Sequence, residues 1–216
     1  MTDVYLFGAN NVTRLLVNYL KTDDRYSILG ITANKEYCIS PEFLEFPLVP
    51  FADLAPNTDN FGIINCVAYS QKLQLRETIG AQILSRNIPL ISYIHRDAVV
   101  DGVELGQGCL VLNRVVIEPY SKVGRHNVFY GGSYICHDAS IGDCNWFSAG
   151  CIVAGEVQIG NRNFIGINAS IRNGITIGSM TTVGMGAVIV KDVKSDTTVF
   201  GNPAIVRNRE QITLDE

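Results

Sequence analysis

A small α/β domain followed by an all-β solenoid is the fold class this sequence predicts, on two observations. Between positions 99 and 189 every sixth residue is apolar, beginning Val99, Leu105, Val111, Ile117 and ending Val183, Ile189, sixteen in succession without an insertion or deletion. Ahead of that stretch, short apolar runs alternate with amphipathic ones. A helix would repeat every ~3.6 residues and a one-sided strand every ~2, so a strict period of six fits neither. It is the spacing of a coiled solenoid, in which each hexapeptide forms one short flat strand and one turn. Three such sides close a triangular coil of about eighteen residues, so the stretch makes a little over five coils. The repeated apolar side chain points inward and stacks on its equivalents in the coils above and below. Glycine follows it at positions 106, 124, 142, 160, 166, 178 and 184 and is expected to give the backbone freedom to turn. The residue four places on is short, as in Cys109, Ser121, Ala139 and Ala169, and suits a tight corner.

Taken in order, residues 4–7 read as a buried strand. Residues 12–20 read as a helix, with Val12, Leu15, Leu16, Tyr19 and Leu20 on one face. Strands are expected at 27–32, 47–54 (with a turn) and 61–68. A second helix is expected at 71–86, with Leu75, Ile79, Ile83 and Leu84 inward, and a last strand at 88–94. Strands alternating with helices mean βαβ units and a parallel sheet. Residues 1–93 are therefore read as a small Rossmann-like domain, 94–192 as the solenoid, and 193–216 as a C-terminal cap and tail, where periodicity stops and Pro203 appears. Asp23, Asp24 and Arg25 read as a solvated loop. The turn Gly8-Ala9-Asn10-Asn11 joins a strand to a helix N-terminus, which can cradle a phosphate. The full G-x-G-x-x-G is absent, and an ordinary strand-to-helix turn accounts for the residues equally well.

The hydrophobic fraction of 47% supports a sizeable core and argues against disorder. A net charge of −4 with no basic run argues against a nucleic-acid partner. The N-terminal residues lack the pattern of a signal peptide, and no apolar run is long enough to span a membrane. The six cysteines form neither a CxxC pair nor a zinc spacing and read as reduced thiols of a cytoplasmic protein.

The solenoid and its ending, GMGAVIVKDV at 184–193 and VFGNPA at 199–204, resemble the hexapeptide-repeat acyltransferases of left-handed β-helix fold. With an α/β domain in front, the chain is similar to their NeuD/PglD-like branch of sugar O- and N-acetyltransferases. The resemblance implies a left-handed parallel β-helix, acetyl-CoA as cosubstrate, no metal, and a homotrimer with sites at subunit interfaces. It implies that His137, in CHDASIGD at 136–143, is the general base toward a sugar amine or hydroxyl, and that Asp138 orients it. The chemistry suits an imidazole, which titrates near neutral pH. Eighteen residues on, one coil above His137, stands Gly155. The resemblance gives its N–H to the thioester carbonyl as an oxyanion donor, and a corner glycine is the simpler alternative.

Ile167, Met185 and Lys191 fall where the family binds CoA, with Arg207 and Arg209 as further candidates for its phosphates. Gly8, Asn10 and Trp146 fall in the acceptor region, Trp146 standing where such enzymes place a second histidine. It would stack on a sugar or lie exposed at a subunit contact. The acidic residues that end the family's second strand are here Thr32-Ala33-Asn34. His126 reads as a surface or neighbour-facing residue and His95 as structural. The implied activity is acetyl transfer to a sugar, read as nucleotide-linked, in surface-glycan synthesis. The alternatives are a longer acyl-CoA, a non-sugar acceptor, a non-catalytic solenoid scaffold, and a β-helix carbonic anhydrase. The last needs three metal-binding histidines, which the spacing of His95, His126 and His137 opposes.

Overall fold

A computed structural model describes residues 1–55, 60–69 and 73–206. The chain divides into two compact units, Met1–Ser92 and Tyr93–Glu216. The first holds β1 (Thr2–Phe7), α1 (Asn11–Leu20), β2 (Tyr26–Ala33), β3 (Glu42–Phe43), β4 (Phe46–Pro50), β5 (Gly62–Asn65) and α2 (Gln74–Ser85). The sheet order is β3-β4-β2-β1-β5. Its pairs β1–β2, β1–β5 and β2–β4 are parallel, and β3–β4 is an antiparallel hairpin. The covered parts of the parallel strands are mostly apolar, with Val4, Leu6, Phe7, Ile31, Leu48, Ile63 and Ile64 buried, whereas the outer end of β1 at Thr2 and Asp3 is exposed. Helix α1 buries Val12, Thr13, Leu16, Val17 and Leu20, so its inner face is turned slightly from the expected one, and Leu15 and Tyr19 lie at its margin. Helix α2 buries Ile79 and Ile83 as expected, and also Arg76. The first residues of the expected second helix, 71 and 72, lie outside the described residues.

Asp23 corrects the reading of 23–25 as a solvated loop. Its side chain is only 3% exposed and takes hydrogen bonds from the Arg25 backbone N–H, Nε and Nη2. The expected strand at 88–94 is also divided. Leu90 bridges to Ile63 of β5, whereas Tyr93–Ile94 pairs with Leu110–Val111 and opens the solenoid.

The second unit is three parallel sheets of two-residue strands, each strand stacked on its equivalent one coil away. The first face carries Leu110–Val111, Val128–Phe129, Trp146–Phe147, Phe164–Ile165 and Thr182–Val183. The second carries Val116–Ile117, Tyr134–Ile135, Ile152–Val153, Ser170–Ile171 and Val188–Ile189. The third carries Glu104–Leu105, Lys122–Val123, Ser140–Ile141, Gln158–Ile159 and Thr176–Ile177. The second residue of each pair forms the inner core, and from Leu105 to Ile189 the partners are eighteen apart.

The repeat departs from strict sixes at both ends. Val100, not Val99, pairs with the inward Ile117, and Val99 points out with 57% exposure. The inward series therefore runs Ile94, Val100, Leu105, with one five-residue step. Nor does it stop at Ile189. Val193 bridges to Ile177 and Val199 pairs with Val183, so the last coil is two residues short. Thr198–Phe200 then pairs antiparallel with Ile205–Val206, which closes the described end.

The glycines after the apolar position have a different role from the one expected. The positive φ of each corner falls two residues later, at every sixth position from Gly102 to Gly186, and nine of those residues are not glycine. Glycines 124 and 142 are needed instead because successive coils touch there. A Cβ on Gly124 would lie 2.8 Å from the Gly142 carbonyl carbon, and one on Gly142 would lie 2.9 Å from the Gly160 oxygen. Beside that column run two ladders. Asn145 and Asn163 each donate a backbone N–H to the Asn side-chain oxygen one coil before, Asn127 and Asn145, and Thr181 N–H donates likewise to Asn163. In the other ladder the N–H groups of Arg125, Asp143 and Asn161 donate to the side chains of Asp143, Asn161 and Ser179. These side chains satisfy corner amides, buried in the first ladder and exposed in the second, that no strand partner reaches. No helix among the described residues is long and apolar enough to cross a membrane.

Candidate active site

His137 lies in the corner that follows the second face. Asp138 is the next residue and occupies the positive-φ position, φ 58°, a conformation that Asp adopts more readily than most residues. That turn brings its carboxylate Oδ2 to 2.8 Å from His137 Nδ1. A carboxylate only accepts, so Nδ1 carries the proton and Nε2 presents its lone pair. Both side chains are more than half exposed. The imidazole is pushed above its ordinary pKa, first by the hydrogen bond to Asp138, which outweighs the opposing desolvation, and further by the charges of Asp138, Glu118 and Glu156.

Gly155 does lie one coil beyond His137, and the ring rests against it. A Cβ there would sit 2.8 Å from Cε1 and 3.0 Å from Nε2, so any side chain at 155 would displace the imidazole. Gly155 is accordingly buried. Lys191 is exposed and falls in the same corner column three coils past His137, about 14 Å along the axis at the usual strand spacing.

Two residues not identified in the sequence belong to this corner. Glu118 Oε2 accepts the His137 backbone N–H at 2.8 Å, and its Oε1 accepts the Tyr134 hydroxyl at 2.6 Å. These two bonds hold the Glu118 carboxyl below its ordinary pKa, and the Glu118 bond pushes the Tyr134 phenol up.

Ile167 and Met185 are not at this corner. They are stacked one coil apart in the preceding corner, at the opposite edge of the second face, 50% and 75% exposed. Within one chain the expected CoA-packing residues and the expected base are thus separated by a whole face. Arg207 and Arg209 lie outside the described residues.

Trp146 is neither an exposed aromatic nor an open stacking platform. It is 7% exposed, its strand lies between Val128 and Phe164, and its ring is 5.1 Å from that of Tyr130. Its outward neighbours on the first face, Leu110 and Val128, are buried and Phe164 is half-buried, which removes a large aromatic from water. His126 is likewise buried, not at the surface, because it occupies a corner position between the ladders. His95 is fixed locally: its backbone N–H donates to Val111 O, and Nδ1 accepts the Asp97 N–H.

In the first unit, Gly8 and Asn10 line a cavity of about 430 Å³ with Phe7, Asn34, Glu36 and Val67. It opens where the carboxyl ends of β1, β2 and β5 meet and the strand order reverses about β1, the usual place for a ligand in such a sheet. The α1 N-terminus is already occupied. Asn10 Oδ1 accepts the N–H groups of Val12 and Thr13, Asn10 Nδ2 donates to Cys66 O, and the Thr13 hydroxyl donates to Gly8 O. Asn10 is therefore a helix cap, and the first-turn amides are not left open for a phosphate. No Lys or Arg among the described residues lines the cavity.

All six cysteines are free, and burial pushes the thiols of Cys66 and Cys151 up to about 12. Among the described residues no three His, Cys, Asp or Glu side chains are grouped to hold a metal.

No protein-family model and no curated protein sequence matches the chain. Solved structures do. The acetyltransferase domain of PglB from Neisseria gonorrhoeae FA1090, also solved with acetyl coenzyme A, is 25% identical with a TM-score of 0.85, over 96% of this chain and all of that one. PerB from Caulobacter crescentus, solved with CoA and GDP-perosamine, is 25% identical with a TM-score of 0.84, over 96% of this chain and 98% of that one. A mutant perosamine N-acetyltransferase from the same organism matches at 24% identity and a TM-score of 0.86, over the same shares of the two chains. Over nearly its whole described length the chain is similar in fold to these sugar N-acetyltransferases of hexapeptide-repeat left-handed β-helix type, the repeat itself lying in the second unit.

Proposed function

We propose that this protein transfers the acetyl group of acetyl-CoA to an amino group of a nucleotide-linked sugar, with His137 as the general base. The observation that carries the reading is the His137–Asp138 pair at a positive-φ corner with side-chain-free Gly155 one coil beyond. Nε2 takes the proton from the acceptor nitrogen as that nitrogen bonds to the thioester carbonyl carbon. The carbonyl oxygen becomes an oxyanion, for which we read the Gly155 N–H as donor. The intermediate collapses with loss of CoA thiolate, to which the imidazolium returns the proton. Asp138 keeps the tautomer and stabilises the imidazolium.

The choice of an amine over a hydroxyl rests on charge. Every charged group acting on the His137 ring is a carboxylate, Asp138, Glu118 or Glu156. Such a field draws in an amino sugar as its ammonium ion, which releases one proton to water to become the neutral amine that attacks, and gives a neutral hydroxyl no such advantage. The likeness to proteins described as N-acetyltransferases points the same way.

We read the first unit as Rossmann-like, with the acceptor's nucleoside end in its cavity. Parallel pairing about β1 and the cavity's place at the strand ends support this, and we read the diphosphate as lying outside the cavity, whose described lining is apolar, amide and acidic. Gly8 and Asn10 then shape the wall of the cavity. We read Ile167 and Met185 as the pantetheine contact and Lys191 as a phosphate contact. Because Ile167 and His137 lie at opposite edges of one face, a complete site takes its two halves from adjacent subunits of a homotrimer. The exposed apolar Val99 and Ile152 on that face support burial against another copy, and a light-scattering mass of three chains is expected. We place the reaction in the cytoplasm, in surface-glycan synthesis.

Release of CoA thiol from acetyl-CoA, followed across GDP-, UDP- and dTDP-linked amino sugars and their hydroxyl counterparts, tests the reading. Turnover is expected with an amino sugar alone. Turnover only with hydroxyl acceptors would overturn the choice of an amine. No turnover and no CoA binding would favour a non-catalytic solenoid.

A further inference from the structure

We propose that Glu118 is a positioning residue of the His137 corner: held by the Tyr134 hydroxyl, its carboxylate clamps the His137 backbone and directs its negative charge at the imidazole. This rests on the reading of His137 as the base, and it assigns a role to a residue of the preceding coil. The geometry is specific. In the stacked coils Glu118 lies beneath Cys136, since Ile117 pairs with Ile135. The carboxylate bridges two donors on the neighbouring coil, the Tyr134 hydroxyl at 2.6 Å and the His137 N–H at 2.8 Å. Charge-assisted bonds of this length are the stronger kind.

The His137 N–H is a corner amide. The Ala139 N–H two residues on is likewise satisfied by a side chain of the preceding coil, Ser121 Oγ at 3.3 Å. Glu118 and Ser121 thus hold the corner on either side of Asp138, whose own N–H donates to Pro119 O at 3.4 Å. With its backbone pinned at three successive amides, the turn keeps the Asp138 carboxylate on Nδ1.

The second effect is electrostatic. The groups that face the ring are Asp138 beside it, Glu118 from the coil before and Glu156 from the coil after. Glu118 is the one of the three held by two hydrogen bonds on that coil; Tyr134 is pushed up first by its hydrogen bond to Glu118, and the adjacent Cys136 first by burial and then by the Glu118 charge. A fixed anion there favours the imidazolium and makes His137 a stronger base.

The test is an NMR titration of the histidine rings in the intact protein, alongside the pH profile of acetyl transfer. With three histidines in the chain, the His137 signals are assigned by their loss in His137→Ala. Glu118→Gln is expected to lower the His137 pKa by about half a unit at low ionic strength, less in high salt. The acid limb of kcat/KM should move down by the same amount. The kcat should fall several-fold with KM for acetyl-CoA unchanged. Tyr134→Phe, which keeps the charge and loosens its hold, should lower kcat with a smaller pKa shift. An unchanged His137 pKa and pH profile in a folded Glu118→Gln protein would overturn the proposal. The NMR readout does not depend on turnover. If His137→Ala stays active, the reading of the base fails while the titration still decides whether Glu118 acts on the ring.

Discussion

Replacing His137 with alanine is expected to lower kcat for acetyl transfer by about 10²–10⁴-fold while leaving CoA binding intact, the usual contribution of one positioned general base. Nε2 is the nitrogen with a free lone pair because Asp138 holds Nδ1 at 2.8 Å. Removing the ring takes away the proton acceptor, but the apolar corner of Ile167 and Met185 lies across a face from it and keeps its surface. The same experiment carries a pH signature. The folded-state pKa of His137 is raised, first through Asp138. Below that value the ring is protonated and cannot serve as a base, so kcat/KM should fall as pH drops through a point above that of an isolated imidazole. The limb belonging to His137 should vanish in the alanine variant. Steady-state kinetics from about pH 5 to 9 at saturating acetyl-CoA would show both effects. A His137→Ala enzyme within a factor of three of wild type would remove His137 from the chemistry.

The largest stability effect is expected from Phe147→Ala, a loss of about 3–5 kcal/mol. Phe147 is fully buried on the inner side of the first face, and its ring is stacked on Phe129 one coil before, with centroids 4.7 Å apart and planes at 7°. Truncation opens a hole in a column whose walls are strands of two residues, fixed by coils on either side, so the site has little room to collapse. In a stack where each coil contacts only its neighbours, the damage falls on two interfaces at once. Urea unfolding followed by far-UV circular dichroism would measure it. Lys122→Ala serves as the control: Lys122 points outward on the polar third face and should change stability by no more than ~0.5 kcal/mol. Equal losses in the two variants would mean that the inner column is not what holds the coils together.

The central coils were legible because a single physical demand, an apolar residue at the centre of each short strand, recurs without interruption from Leu105 to Ile189. The ends were not, because one five-residue and one four-residue step shift the register without changing the type of residue: Val99 and Val100 look alike until pairing shows which faces Ile117. His137, Asp138 and Gly155 could be placed together by counting eighteen. The same count puts Glu118 beneath Cys136, but a glutamate on a solenoid edge has no mark of its own until its two donors are seen. The ladder of Asn127, Asn145 and Asn163 stands in the sequence as a period of eighteen, but a period of asparagines does not show which amides the side chains reach. Polarity and position within a turn suggest exposure for His126 and Asp23, and the resemblance alone suggests an acceptor contact for Trp146, whereas burial at all three is decided by neighbours distant in sequence. In the first unit the alternation of strands and helices was enough for the parallel sheet. The capping of α1 by Asn10, which removes the phosphate cradle, is a side-chain event that glycine counting does not detect.

The paired ladders at the corner of Asn127 and Asn145 give the molecule a counting rule. Each rung links a backbone amide to a side chain one full turn away. One residue added or removed in the middle coils would misalign every rung beyond it, the glycine contacts at 124 and 142, and the seating of His137 against Gly155 together. Length can therefore change there only by whole turns, whereas the outermost turns, which already run short, can take single-residue changes. The His137 corner is in this sense indexed by the scaffold: its place along the axis is an address in units of eighteen, copied from turn to turn.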